Sequence, residues 1–477
     1  MIKTICKWSL FLFLALIIVY GAWVIIAMNR TATLSTDYIA KINEVASSVP
    51  ESERGWPHYR SAAIALQSNP EPSTFFIENE LDTPQWTHEA GWNHFDTWIQ
   101  EHDETLQHLQ RATSKEVFGY ISSGKVSEED KELWPDQYAS QGEGPSGETV
   151  LEILLPQLSP MRNLARLLLV DAKDAASKGD TDRCLKDISA MLQIGIHVRQ
   201  PSLLISDLVS LSIFNLVFQT IEQILQYEPA LFSLKELSSL QESIRNLEPH
   251  LIVSLDGERF MMYDLLQRIY TDNGEGDGYL VPVESNQMLD FAELVSAEPN
   301  LSNQSGFYPA LFTPIADVFF ASRKEMREEY DARMDLAESR QGVPLYTLQS
   351  SPEYQPAALP GHSTMFDRYF LVNLLMPALD RALLQGEYTR ANRDATLAVL
   401  YAVQWYNESG EWPRDLASAG VTDAWTGEPL KIILVEGAPL IYSLGCDQRD
   451  DGGIHAQDAD KLGSGSSGDW VVWPNLE

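Results

Sequence analysis

The sequence predicts a mainly α-helical protein: an N-terminal transmembrane helix, a large α-helical domain, and a small C-terminal α+β head. Three observations carry this. Residues Trp8 to Met28 form an almost wholly apolar run of 21 without a charge. Between Met161 and Tyr227 the apolar residues recur at helical spacing, and beyond residue 429 the pattern shortens to strand-like runs bounded by Gly, Asp and Pro. At 477 residues the chain is long enough for two or three domains and at least one large core.

At about 1.5 Å per residue the apolar run just spans a hydrocarbon layer of about 30 Å. Lys3 and Lys7 precede it. The positive-inside rule then puts residues 1–30 down as a cytoplasmic tip and signal anchor, with everything after Arg30 on the periplasmic or extracellular side of the inner (cytoplasmic) membrane. A cleaved signal peptide is the rival reading, but its apolar core would be only about 7 to 15 residues. Acidic residues outnumber basic ones 68 to 34. Such a surface repels nucleic acid and anionic lipid, and it keeps the ectodomain soluble. Of the three cysteines, Cys6 precedes the span, so only Cys184 and Cys446 could pair outside. Two thiols make no disulfide framework, and Cys184 sits at an apolar helical position expected to be a buried free thiol.

The α-helical ectodomain is assigned to residues 31–340. Its first part is Trp-rich and becomes an amphipathic helix through Phe95, Trp98, Ile99, Leu106 and Leu109, and Gly142 to Pro160 reads as a connection. A helical hairpin follows. Leu164, Leu167, Leu168, Ala172, Ala175 and Ala176 share one stripe, Gly179-Asp180 turns the chain, and Cys184, Leu185, Ile188, Met191, Leu192 and Gly195 form a second stripe. Pro201 suits the first turn of a third helix, Ser202 to Tyr227, in which Asp207, Asn215, Gln219 and Glu222 argue against a second membrane span. The hairpin looks like one tetratricopeptide unit, but no threefold repeat supports a solenoid, so a helical bundle is expected. Further helices are predicted at Leu234 to Asn246, Glu258 to Tyr270 and Ala316 to Arg340. A linker rich in Pro, Gln and Ser is predicted over residues 341–364. Residues 365–477 are assigned a long helix to Tyr406 plus the head, with strands at Leu430 to Val435, Pro439 to Ser443 and Asp469 to Trp473.

One stretch points to a particular chemistry: Ile441-Tyr442-Ser443-Leu444-Gly445-Cys446-Asp447-Gln448-Arg449-Asp450-Asp451-Gly452-Gly453, followed after a Gly/Ser spacer by Asp469-Trp470-Val471-Val472-Trp473. A tight loop rich in Asp and Gly can offer the six to eight oxygen ligands that calcium prefers. It is not an EF-hand, because Arg449 occupies the third position counted from Asp447 and no Glu the twelfth. An acidic turn solvated without metal is the plain alternative.

With Gly410-Glu411-Trp412-Pro413 and Asp423-Ala424-Trp425-Thr426-Gly427-Glu428-Pro429 ahead of it, this ending resembles the C-terminal head of the major pseudopilins of type II secretion systems. It is similar, too, to the ending of membrane-anchored bacterial envelope proteins. The resemblance covers about residues 385 to 477 and implies a small α+β head whose loop is held by calcium. Carried over residue by residue, it implies Asp447, Asp450 or Asp451, and Asp469 as carboxylate ligands, with Ser443 or Leu444 offering oxygen and Asp458 and Asp460 in reserve. The anchor lacks a prepilin cleavage signal, some 350 residues separate anchor from head, and Ile454 to Gly468 lengthen the loop.

Catalytic motifs are weak. His88, His94, His102 and His108 lie among carboxylates, but the residue four after His88 is Trp92, and His94 and His108 are about 21 Å apart along a helix. Ser122-Ser123-Gly124-Lys125 fits Ser-x-x-Lys without its companion motifs. Asp272 to Gly278 reads as an acidic surface turn in preference to a second calcium loop. Carboxylate pairs capable of hydrolysis depend on separation in space, which a sequence does not give. The expectation is a non-catalytic module that holds or recognises another envelope protein. The alternatives are a membrane-tethered hydrolase with its site in the helical domain and an accessory of type II secretion.

Overall fold

The computed structural model describes residues 2–68, 86–89, 91–122, 127–134, 149–281, 309–350, 367–456, 458 and 467–474. Helices used below are numbered in chain order. The first, α1 (Ile2–Met28), is over Trp8–Met28 long and apolar enough to cross a membrane and carries almost no protein cover there. After it come α2 (Trp56–Ser68), α3 (Trp92–Glu101) and α4 (Asp103–Thr113). Trp56, Phe118, Tyr120 and Trp134 interlock there, with ring centroids 4.9 to 5.8 Å from Trp56.

The centre of the molecule is α5 (Leu158–Ser177), α6 (Thr181–Val198) and α7 (Leu204–Tyr227). The α5–α6 turn forms at the expected place, because Gly179 takes a left-handed φ of 70° and Asp180 caps α6 by accepting the Arg183 N–H at 3.2 Å. Gly195 lets α6 and α7 touch: a Cβ there would lie 2.4 Å from the Phe214 ring. Although α7 is as long and apolar as a membrane span, most of it is buried in the bundle. Its polar groups are met by α13 (Phe370–Ser409). Asn215 donates to Thr389 at 3.1 Å and accepts from Asn392 at 3.0 Å, and the Thr396 hydroxyl donates to Glu222 at 2.6 Å. Burial pushes the Glu222 carboxyl up to about 8, against the pull of Thr396.

The remaining numbered helices are α8 (Leu234–Arg245), α9 (Asp256–Ile269), α10 (Pro309–Phe319), α11 (Arg323–Arg340) and α12 (Leu345–Ser350). The helix expected over Ala316 to Arg340 is two helices. Ser322 takes an extended backbone and closes a capping box with Glu325, which starts α11 afresh. Of the segment expected as a linker, residues 351 to 364 lie outside the described residues, and the part before them is packed. Gln341 bridges the N–H and carbonyl of Val253 (2.7 and 2.8 Å), the Gly342 N–H reaches Glu387 at 2.8 Å, and α12 buries Leu345 and Leu348 against Trp425 and Cys446.

The chain ends in a three-stranded antiparallel sheet in the order β1 (Lys431–Val435), β2 (Ala438–Ser443), β3 (Trp470–Trp473). Glu436 and Gly437 both adopt positive φ in the two-residue turn of the first hairpin, the twist that such a hairpin needs. The sheet shares the bundle's core: Ile441, Val472 and Trp473 belong to the same buried cluster as α7 and α13, and the Trp473 indole donates to the Glu222 carbonyl at 3.1 Å. Cys184 and Cys446 are both buried and are not joined by a disulfide.

Candidate metal centre

The loop after β2 is positioned from below by Asp423. This buried carboxylate accepts the N–H of Trp425 (2.9 Å) and of Leu444 (3.1 Å) and the hydroxyl of Ser443 (2.8 Å). Burial raises its pKa and these donors pull it back. The Ser443 hydroxyl is thereby committed to Asp423, and it also accepts the Gly445 N–H at 3.0 Å. Asp423 stood in the sequence within a turn motif, and its side chain is what ties that turn to the loop.

Above this anchor the acids gather. Asp469 has no exposed surface. Its backbone pairs with Ile454 and Ala456 (2.8 and 3.1 Å), and its Oδ2 accepts the N–H groups of Gly453 (2.7 Å) and Asp451 (3.1 Å). Its Oδ1 is buried and has no hydrogen-bond partner among the described residues. An unmatched carboxylate oxygen costs about 1 to 3 kcal/mol or more when closed off from water. Burial raises the Asp469 pKa first, the two backbone donors lower it, and the charges of Asp450 and Asp451 raise it again. Asp450 accepts the hydroxyl of Tyr442 and the N–H of Gly452, each at 3.0 Å. Burial, then Asp450 and Asp469, push the Tyr442 phenol up. Gly453 permits the tight path, since its φ is 83° and a Cβ would lie 2.3 Å from Leu440.

Of the residues singled out in the sequence, Asp450, Asp451 and Asp469 are thus brought into one electrostatic neighbourhood. Asp447 turns its Oδ1 to the N–H of Arg449 at 3.0 Å, and Leu444 gives its N–H to Asp423. Asp458 is half-buried, and Asp460 lies outside the described residues. Among the described residues no three His, Cys, Asp or Glu side chains converge in a ready-made metal cage. What the loop offers is one oriented, unmatched buried oxygen flanked by two exposed carboxylates, and this hard-oxygen chemistry suits calcium better than a soft metal.

The other candidates resolve separately. His102 is buried with Nδ1 2.7 Å from the Trp98 carbonyl, His88 packs on Tyr227, and His108 lies 3.8 Å from Glu104. Ser122 donates its N–H to Asn43 at 2.8 Å, while Lys125 lies outside the described residues. Asp272 is closed by the N–H groups of Gly274 and Gly276 and pairs with Arg323 at 2.9 Å.

One pair was invisible in the sequence. Asp171 on α5 and Asp187 on α6, both buried, bring their carboxyls into hydrogen-bonding contact at the edge of an open cleft of about 630 Å³ that α4 also lines. Among the described residues neither Asp171 Oδ1 nor Asp187 Oδ2 receives a hydrogen bond from a donor group, and the Arg183 Nε lies 3.8 Å from Asp171 Oδ1. Burial, then the charge of Asp171, pushes Asp187 up to about 9. The neighbouring Cys184 thiol is pushed up to about 12, mainly by burial, and is inert as a nucleophile at neutral pH. Comparison with protein-family models, with curated proteins and with solved structures finds no match for this chain.

Proposed function

We propose that this chain is a single-pass, membrane-anchored envelope protein whose ectodomain holds or recognises another protein, with a C-terminal lobe ordered by calcium. The observation that carries the calcium reading is the buried, unpartnered Oδ1 of Asp469 beside Asp450 and Asp451. A cation there would supply the missing partner and neutralise the clustered acids, and the lobe would be stiffest where calcium is plentiful. Calcium bound there would supply charge and coordination only. The chain's own residues do the shaping: Asp423 fixes the base of the loop, Gly452 and Gly453 turn it, and Tyr442 holds Asp450. The acidic excess leaves nucleic acid an unfavourable partner.

The test is thermal melting of the full-length protein in detergent, with calcium and with chelator, alongside a direct assay of bound ion. Calcium at about 100 times its dissociation constant is expected to add about 2.7 kcal/mol of stability. Asp469→Asn keeps an oxygen for the Asp451 and Gly453 N–H groups but removes the charge, so it should abolish that increment without lowering stability in chelator. An unchanged melting temperature with no ion bound removes the calcium reading.

A second reading, a membrane-tethered hydrolase, is favoured by one observation: the facing carboxyls of Asp171 and Asp187 at an open cleft. Hydrogen-bonding contact is closer than the roughly 5 Å or more between glycosidase carboxyls. It resembles instead two acids sharing one proton, as in acid proteases. Hydrolysis of peptide or ester substrates that is abolished by both Asp171→Asn and Asp187→Asn would move the assignment to this reading.

A further inference from the structure

Helix α10 bears a face that the protein leaves bare. Its one ionisable residue, Asp317, pairs with Arg30 at 2.6 Å, with side-chain exposures of 3% and 11%. Arg30 also donates to the Leu280 carbonyl at 3.1 Å and lies over the Tyr279 ring. The helix therefore presents no unpaired charge, while Ile315, Val318 and Phe319 are 42%, 60% and 57% exposed.

What covers those residues follows from where α10 sits. It packs against α1, and from Trp8 onward cover on α1 is confined to its last turns: Val24 and Ala27 are buried, Tyr20 and Gly21 half-buried. Tyr20, Val24 and Ala27 form one helical stripe. At about 1.5 Å per residue, Val24 lies about 6 Å and Tyr20 about 12 Å below the end of the apolar run. An element that covers this stripe is inside the hydrocarbon layer whenever α1 spans it.

We infer that α10 is a second membrane-embedded element, lying beside α1 in the half of the bilayer on the ectodomain's side, with Ile315, Val318 and Phe319 against lipid acyl chains. The Arg30–Asp317 pair leaves neither charge unmatched beside the lipid. Two elements in the lipid instead of one fix the tilt of the ectodomain on the membrane. This rests on the reading of α1 as a membrane anchor.

The experiment uses the full chain in lipid nanodiscs, with Cys6 replaced by Ser and a nitroxide placed singly by Ile315→Cys, Val318→Cys or Phe319→Cys. References are Ile26→Cys on bare α1 and Leu336→Cys on the exposed face of α11, which are 62% and 52% exposed. Collision with oxygen, which partitions into lipid, is compared with collision with a water-soluble nickel chelate. The oxygen-to-nickel ratio at the three α10 sites should match Ile26 and stand several-fold above Leu336. Water-like ratios on α10 with a lipid-like Ile26 overturn this inference alone. Low collision with both reagents means that protein, such as a second copy of the chain, covers the face, and that also overturns it. A water-like Ile26 defeats the anchor reading and the inference with it.

Discussion

Asp187 and Asp469 are acids that the fold buries at a cost, and the two differ in what offsets it. Asp187 is offset by a proton. Its pKa rises from 3.8 to about 9, so the folded protein keeps a proton there that the unfolded chain releases above about pH 4. Stability from this group is fully present below the unfolded pKa and is lost as pH rises toward 9. Asp187→Asn removes the titration and can still donate to Asp171. It is expected to stabilise the protein by about 1 to 3 kcal/mol at pH 8 and to be neutral at pH 4, read as melting temperatures at the two pH values. An equal gain at both would assign the effect to packing and not to charge. Asp469 keeps two backbone donors on one oxygen and, among the described residues, none on the other, the asymmetry on which the proposed cation rests.

At the scale of elements, periodicity gave the hairpin α5–α6, the helix α7 and the three strands nearly to the residue, because each has a face to bury and a Gly or Pro within three residues of its end. It joined α10 to α11, although Ser322 and Glu325 carry the capping signal, because Ala316 to Arg340 has no Pro or Gly to interrupt the helical pattern. Close approach is the other quantity that pattern does not give. Gly195 stands at a helical position where Ala is worth about 1 kcal/mol more in isolation, yet a Cβ there meets Phe214 at 2.4 Å. Gly195→Ala is therefore expected to destabilise the bundle by about 1 to 3 kcal/mol, seen as a lower melting temperature with far-UV helicity unchanged before the transition. A neutral or stabilising result would mean that α6 and α7 separate freely at this point.

On the scale of the whole molecule, the C-terminal sheet and the helical bundle share one core. Trp473 reaches the Glu222 carbonyl, and Ile441 and Val472 join the cluster around α7 and α13. Small lobes that bury little of their own surface gain stability from such sharing. The sheet is thus expected to melt with the bundle: near-UV signal from the lobe's tryptophans and far-UV signal from the helices should give one coincident transition. Two separated transitions would mean that the lobe folds alone, and the calcium increment would then belong to the lobe only.

The sequence by itself determined the apolar N-terminal helix, the helical class of the region after it, the place of the small sheet and the acidic loop, since these depend on local periodicity and composition. Tertiary structure decided which acids meet. Asp171 and Asp187 lie on separate helices and come together only when the α5–α6 hairpin closes, and Asp423 reaches Ser443 and Leu444 across 20 residues of chain. It decided as well that α7, apolar enough for lipid, is bundle core, because α13 supplies partners for Asn215 and Glu222. Side-chain charge and hydrogen bonding act over a few ångströms of space, and separation along a chain does not measure that distance.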